Sequence, residues 1–358
     1  MDDMNKKDRT EDGFVESMDN AWIEKLETNE KGEIAETWDN YDLILENDPA
    51  LKNLIYYDEM QDRCMISREP AWSVWPAWND LKSASYPRPF RNKDYTGYLD
   101  YLRYKYGIAK ATIYAGQAKD ALIEHIRYVN PVKQYLEGLE PWDGTPRVET
   151  LFVDYMGAED TDYTRAVTKC ILVAAVARTY EPGIQFDNML ILKGAHGIGK
   201  SMIIRKLAKE KWCIEERLKF VGNPGRRIQG GWLIEVINLD KMTWLNFSRC
   251  KWFLSCHDDR FYRGKYCNDY PRRCVFFGTT SADRFLRDRT GNRRYWTVPV
   301  DISKATKSIW NDLDGEVDQI WAEAVKLYRD GTHIYLPADM EQKANQIQED
   351  YVVEDSRR

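Results

Sequence analysis

Apolar and polar positions along the chain change period several times, most sharply between Met189 and Leu207. Met189-Leu190-Ile191-Leu192-Lys193 is an almost unbroken apolar run, the pattern of a strand buried on both faces. A glycine-rich turn follows, and Met202-Ile203-Ile204-Arg205-Lys206-Leu207 resumes with helical spacing. Two later runs predict further strands of one parallel sheet: Trp232-Leu233-Ile234-Glu235-Val236-Ile237, after Gly230-Gly231, and Arg273-Cys274-Val275-Phe276-Phe277-Gly278. A long helix is predicted from about Tyr163 to Tyr180, ended by Glu181-Pro182-Gly183. Beyond Pro299, helical spacing returns through Trp310, Ile320, Trp321, Ala324 and Leu327.

Upstream the pattern is looser. Leu99, Leu102 and Tyr106, then Ala118, Leu122, His125 and Val129, recur as on helices, broken at Tyr106-Gly107 and Asn130-Pro131. Leu43-Ile44-Leu45 and Leu54-Ile55-Tyr56-Tyr57 are short apolar runs between polar turns. Residues 1–40 keep no steady period and read as disordered or loosely helical. The expected organisation is a flexible acidic segment (1–40), a small mixed or helical domain of winged-helix type (41–130), an α/β domain (131–300) and a helical C-terminal segment (301–358). Pro141-Trp142-Asp143-Gly144-Thr145-Pro146 is a turn-rich joint.

Composition changes this picture in three places. The net charge of −6 hides an asymmetry: residues 1–62 hold nineteen acidic and six basic side chains, a balance of −13, so the rest of the chain carries +7. That distribution allows a nucleic-acid partner that the overall charge would disfavour. The longest apolar run, Ile171 to Ala177, is too short to span a bilayer, and the acidic start has no apolar signal core. The chain therefore reads as cytoplasmic, with no membrane partner. Seven scattered cysteines without C-x-x-C read as reduced thiols. Cys250, Cys256, His257, Cys267 and Cys274 crowd together, but their spacings match no common zinc pattern, and half-buried thiols in strands fit better.

The turn itself, Gly194-Ala195-His196-Gly197-Ile198-Gly199-Lys200-Ser201, fits G-x-x-x-x-G-K-[ST] at every fixed position and lies between strand and helix patterns. Such a loop curls so that its N–H groups, and that of Met202 at the helix start, point at one anion. Lys200 is placed to reach the β- and γ-phosphates of a nucleoside triphosphate such as ATP, and Ser201 to give a Mg²⁺ ligand. An acid at the end of a neighbouring strand is also required. Glu235 is the candidate, followed by Asn238 and Asp240. In Arg287-Asp288-Arg289-Thr290-Gly291-Asn292-Arg293-Arg294, Arg293 or Arg294 reads either as a finger for γ-phosphoryl charge, acting across a side-by-side assembly, or as a solvated basic turn. Around Gly264, aromatics alternate with bases as in a hairpin with a basic tip. Arg263 and Lys265 at that tip either touch a nucleic-acid backbone or leave the aromatics simply to pack.

The stretch from about Asn130 to Val300 resembles the virulence-associated protein E family of phages and mobile genetic elements, P-loop ATPases related to superfamily III helicases. The resemblance rests on ordered markers: Pro131-Val132-Lys133-Gln134-Tyr135-Leu136, Trp142-Asp143-Gly144-Thr145-Pro146-Arg147, Phe186-Asp187-Asn188-Met189-Leu190, the glycine loop, Gly231-Trp232-Leu233-Ile234-Glu235, Asp269-Tyr270-Pro271-Arg272, Phe277-Gly278-Thr279-Thr280 and Thr290-Gly291-Asn292-Arg293-Arg294. Asn47-Asp48-Pro49-Ala50-Leu51-Lys52 resembles the accompanying N-terminal region. The resemblance implies an α/β P-loop NTPase core of AAA+ or superfamily III type, with Mg²⁺ and ATP. It also implies a ring of copies on single-stranded DNA, monomeric when free, and a helicase-like role in replicating the element.

Three departures bear on turnover. The family usually has a second acid where this chain has Asn238, and an asparagine sensor where it has Ser281. A further segment is expected beyond Asp350. Two readings remain: an ATP-driven DNA translocase, and an ATP-binding module of weak turnover that recruits DNA or replication proteins. A small-molecule kinase fits poorly, with no lid arginine cluster or acceptor pocket to name. Steady-state ATP turnover of Asn238→Glu against the natural chain separates the first two. A gain of about tenfold or more on restoring the acid supports the weak-turnover module, whereas brisk native turnover with no gain removes it.

Overall fold

Apolar runs bounded by turns can satisfy their backbone groups and bury their side chains together only by pairing. The computed structural model describes residues 21–76, 84–217, 223–237, 239–263, 266–287 and 292–353. By their internal contacts these fall into two units, Met1–Tyr57 with Arg63–Tyr128, and Asp58–Asp62 with Val129–Arg358.

The first unit contains helix α1 (Trp38–Asn47), strands β1 (Ile55–Asp58), β2 (Arg63–Ile66) and β3 (Arg88–Pro89), helices α2 (Asn92–Tyr106) and α3 (Thr112–Glu124), and strand β4 (Arg127–Val129). Its sheet has the order β3-β2-β1-β4. Among the described residues three strands fall between α1 and α2 and one strand follows α3, an order that differs from the expected winged-helix one. Of the segment expected to be loose (1–40), residues 1–20 lie outside the described residues, and residues 21–37 before α1 are held in place. Asn40 is buried, accepts from the Glu27 amide at 2.9 Å, and donates to the Glu27 and Ala35 carbonyls at 2.9 and 2.8 Å. These bonds add to the main-chain pairing of Glu27 with Ala35 and of Asn29 with Glu33, and Trp22 and Leu26 just before it join the unit's apolar cluster. Asp48 is buried in the same unit, accepting from the Tyr101 and Tyr106 hydroxyls, each at 2.8 Å, and from Lys105 at 3.1 Å.

The second unit begins with α4 (Pro131–Glu137), α5 (Leu151–Met156) and α6 (Asp162–Tyr180). Next come β5 (Met189–Lys193), α7 (Lys200–Leu207), β6 (Cys213–Glu216), the single turn α8 (Pro224–Arg227), β7 (Leu233–Ile237) and α9 (Trp244–Leu254). Then follow β8 (Asp258–Arg263), β9 (Tyr266–Pro271), β10 (Val275–Thr280), β11 (Tyr295–Pro299), α10 (Leu313–Arg329) and α11 (Ala338–Glu349). Five strands form one parallel sheet in the order β11-β5-β10-β7-β6. The two-residue period sorts their side chains: Leu190, Leu192, Leu233, Phe277 and Val298 join the cluster of α6, α7 and α10, and Met189, Ile191, Ile234, Val236 and Phe276 join that of α9. Covering on both faces explains the near-continuous apolar runs.

Helix α6 is buried almost all round, which accounts for Ile171–Ala177. Among the described residues, no helix is long and apolar enough to cross a membrane. Trp310 precedes α10 rather than lying on it, and Cys250 is buried on α9 rather than in a strand. Cys170, Cys213, Cys250, Cys256 and Cys274 form no disulfide, and no metal-holding cluster occurs among the described residues.

Trp232 and Trp321 meet under the sheet with ring centroids 4.2 Å apart, and each indole N–H is satisfied, by the Ala175 carbonyl at 3.0 Å and the Leu207 carbonyl at 2.8 Å. Trp321→Ala is therefore expected to cost about 3–5 kcal/mol, read as a lower urea midpoint for the second unit.

Candidate functional site

In an open parallel sheet, the crevice beyond the C-terminal strand ends lies where neighbouring strands send their connections apart. Here that point is β5, flanked by β10 and β11 while its own connection through α7 runs to β6 at the sheet edge. The loop Gly194–Gly199 leaves β5 at this end. Gly197 and Gly199 have φ of 78° and 92°, left-handed values that strain any side chain. Gly194 is needed for space, because a Cβ there would lie 2.5 Å from the Val300 carbonyl oxygen. Ala195, His196 and Gly197 are exposed, while Ile198 and Met202 tuck partly against the main cluster.

Lys200, the first residue of α7, is 8% exposed. Its ammonium folds back on its own loop, donating to the Gly194 and Ala195 carbonyls at 2.8 and 2.6 Å. Burial lowers its pKa, against the opposing pull of the Glu235 charge.

Glu235 is the most constrained residue of the site. It sits in β7 with no exposure, on the side of the sheet facing α7. Its Oε1 accepts from the Ser201 and Thr279 hydroxyls, each at 2.6 Å. Its Oε2 is buried and has no hydrogen-bond partner among the described residues. Burial pushes its pKa up, and the two hydroxyls only partly offset this. Ser281, just past β10, lies 2.6 Å from the Nε2 of His196. Lys193 pairs with Asp283 at 2.8 Å beside it. The structure thus brings together the glycine loop, Lys200, Ser201, Glu235 and Ser281.

Other candidates lie elsewhere. Arg293 and Arg294 form the turn before β11, whose first residue pairs with Met189, so they sit at the N-terminal end of the sheet, a strand length (on the order of 15 Å) from the loop. The Arg294 Nε donates to the Ser255 hydroxyl at 2.9 Å, and Arg293 is exposed. Arg263 ends β8, which pairs antiparallel with β9 as the expected hairpin. Lys265, Asn238 and residues 288–291 lie outside the described residues. Thr279, singled out in sequence only within Phe277-Gly278-Thr279-Thr280, joins the site, and the step from apolar residues to two threonines at the end of the strand is the signal for it.

An oxygen-only set of a hydroxyl and a carboxylate with one bare buried oxygen suits a small hard cation such as Mg²⁺. Without one, the raised Glu235 pKa means that the fold holds a proton which the unfolded chain releases at about pH 4.3. Stability should therefore fall as pH rises above that value and through the folded pKa. Glu235→Gln, measured by unfolding in chelator across pH 4 to 8, should flatten this slope; an unchanged slope contradicts the assignment.

The sequence matches the virulence-associated protein E-like domain over residues 136–353. No curated protein matches the chain. Among solved structures, the apo C-terminal region of NrS-1 (its residues 305–718) is similar at 13% identity and a TM-score of 0.46, covering 82% of this chain and 71% of the other. A second apo structure of that region, the A form, gives 9% identity and a TM-score of 0.49 over 82% and 72%. The family match spans more than half of the chain, from α4 to the end of the described residues, and the chain belongs to the virulence-associated protein E-like domain family.

Proposed function

We propose that this protein is a P-loop ATPase with an AAA+-like core that binds Mg-ATP and works on DNA in the replication of a phage or mobile element. One observation carries this reading: the fully buried Glu235 carboxylate, bonded to the Ser201 hydroxyl at 2.6 Å with its second oxygen unpartnered, beside the glycine loop. A bare anionic oxygen in a sheet core is costly unless a cation or proton completes it. Loop N–H groups from Gly194 to Met202 hold phosphate, and Lys200 exchanges its loop carbonyls for phosphate oxygens. Ser201 and Glu235 are the residues to hold Mg²⁺, which when bound neutralises phosphate charge and polarises the transferred group. Glu235 in its charged form orients the attacking water. Arg293 or Arg294 is too distant to serve its own chain's site, so its role as a finger belongs to a neighbouring copy in a ring. Arg263 and Lys265 at the hairpin tip meet the backbone of single-stranded DNA.

The weak-turnover reading has its own support. Ser281 stands where the family's asparagine sensor is expected, and it is engaged with His196. A hydroxyl so held is not free to position water.

Steady-state ATP hydrolysis, with and without single-stranded DNA and across a salt range, tests the proposal. Lys200→Ala should abolish ATP binding, and Glu235→Gln should keep binding while lowering turnover by roughly a hundredfold or more. Stimulation by DNA should weaken as salt rises, because phosphate contacts release counterions. Equal ATP uptake by Lys200→Ala and the natural chain contradicts the reading.

A further inference from the structure

The segment after β11 comes back over the glycine loop, and its sequence fixes it there. The Thr306 and Lys307 amides donate to the Asp154 carbonyl at 2.9 and 3.0 Å. Ser308 accepts from the Trp310 and Asn311 amides at 3.3 and 3.2 Å, and its own amide donates to Asp312 at 2.7 Å. Ile309 is buried, but Trp310 is 51% exposed. The far edge of the Trp310 indole reaches the loop: a Cβ built on Gly199 would lie 3.4 Å from its Cζ2 and 3.5 Å from its Cη2. A large aromatic ring is thus held by its backbone and one edge, with about half its surface facing water beside a loop shaped for phosphate.

The sheet order gives that ring a direction. Glu235 and Ser281, the groups suited to a terminal phosphate, lie on or just after β7 and β10, on one side of β5. On the other side is β11, whose continuation supplies Val300, Ile309 and Trp310 against Gly194 and Gly199. A triphosphate is a linear chain. If its terminal phosphate points toward Glu235, its nucleoside end leaves the loop on the side of β11.

We propose that Trp310 is the platform on which the base of the bound nucleotide stacks, so that the site prefers a purine nucleoside triphosphate to a pyrimidine one or to bare polyphosphate. The inference rests on the phosphate-binding reading of the glycine loop and adds the nucleoside subsite to it. Stacking reads the face of a base and not its hydrogen-bonding edge, so the bicyclic purines gain most by overlap.

Calorimetric titration of the full chain in Mg²⁺ with ATP, CTP and inorganic tripolyphosphate tests this. The natural chain should bind ATP about tenfold more tightly than tripolyphosphate, with CTP between them. Trp310→Ala should erase the ATP advantage and leave tripolyphosphate affinity unchanged, while Trp310→Phe keeps most of it. Unchanged ATP affinity in Trp310→Ala overturns the proposal. So does an equal loss for ATP and tripolyphosphate, because the residue would then only support the loop. Lys200→Ala separates the two levels: if it lowers tripolyphosphate uptake while Trp310→Ala changes nothing, the loop reading stands and the stacking fails. If neither the natural chain nor Lys200→Ala takes up tripolyphosphate or ATP, both fall.

Discussion

A carboxylate inside a parallel sheet is the constraint on which the second unit turns. Glu235 cannot reach water, and the other residues of β7 and β10 are apolar apart from Thr279 and Thr280 at the end of β10. Among the described residues its bonded relief comes from two hydroxyls on one oxygen, one from β10 and one from the first turn of α7. Keeping both within reach fixes β10 beside β7 and pins the start of α7 across the strand ends. The helix start in turn sets where the loop from β5 turns. The glycines are therefore consequences as much as causes: φ values near 80–90° at Gly197 and Gly199 deliver α7 to the place the acid requires.

The strands and the loop were legible because their signals are local. An apolar run, a left-handed glycine and a lysine before a serine all fall within a few residues of one another. What joins them is not local. Ser201 and Thr279 reach Glu235 from 34 and 44 residues away. Trp310 lies far along the chain from the glycine its ring touches, on a stretch whose helical spacing hid that it precedes α10. Nor does any short window show that β11 runs parallel to β5 with Tyr295 beside Met189, which puts the arginines before β11 and the loop after β5 at opposite ends of the sheet. Residues 21–40 were hidden for another reason: their acidity resembles that of a solvated tail, while Asn40, one buried amide, bonds to Glu27 and Ala35 in a way that no apolar period records.

The family match begins at residue 136, within the second unit, and leaves the first unit to be understood on its own terms. That unit has a separate apolar cluster and its own buried anion, Asp48, saturated by two tyrosines and a lysine. The contrast with Glu235 is chemical. The bonds to Asp48 lower its pKa despite burial, so it is a finished structural carboxylate, whereas the pKa of Glu235 is raised and one of its oxygens is bare. Asp48 is held as an anion by its bonds, whereas Glu235 is held by burial toward its protonated form.

The foot of the β8–β9 hairpin is also tightly held. Arg272, wholly enclosed, grips Asp259 with two nitrogens at 2.5 and 3.2 Å and the last turn of α9 through the Phe253 carbonyl at 2.6 Å. A guanidinium bonded on both sides of a corner behaves as a weld rather than a hinge. The hairpin's base is thereby tied to α9, so that a tilt of that helix carries Asp259 and Arg272 with it.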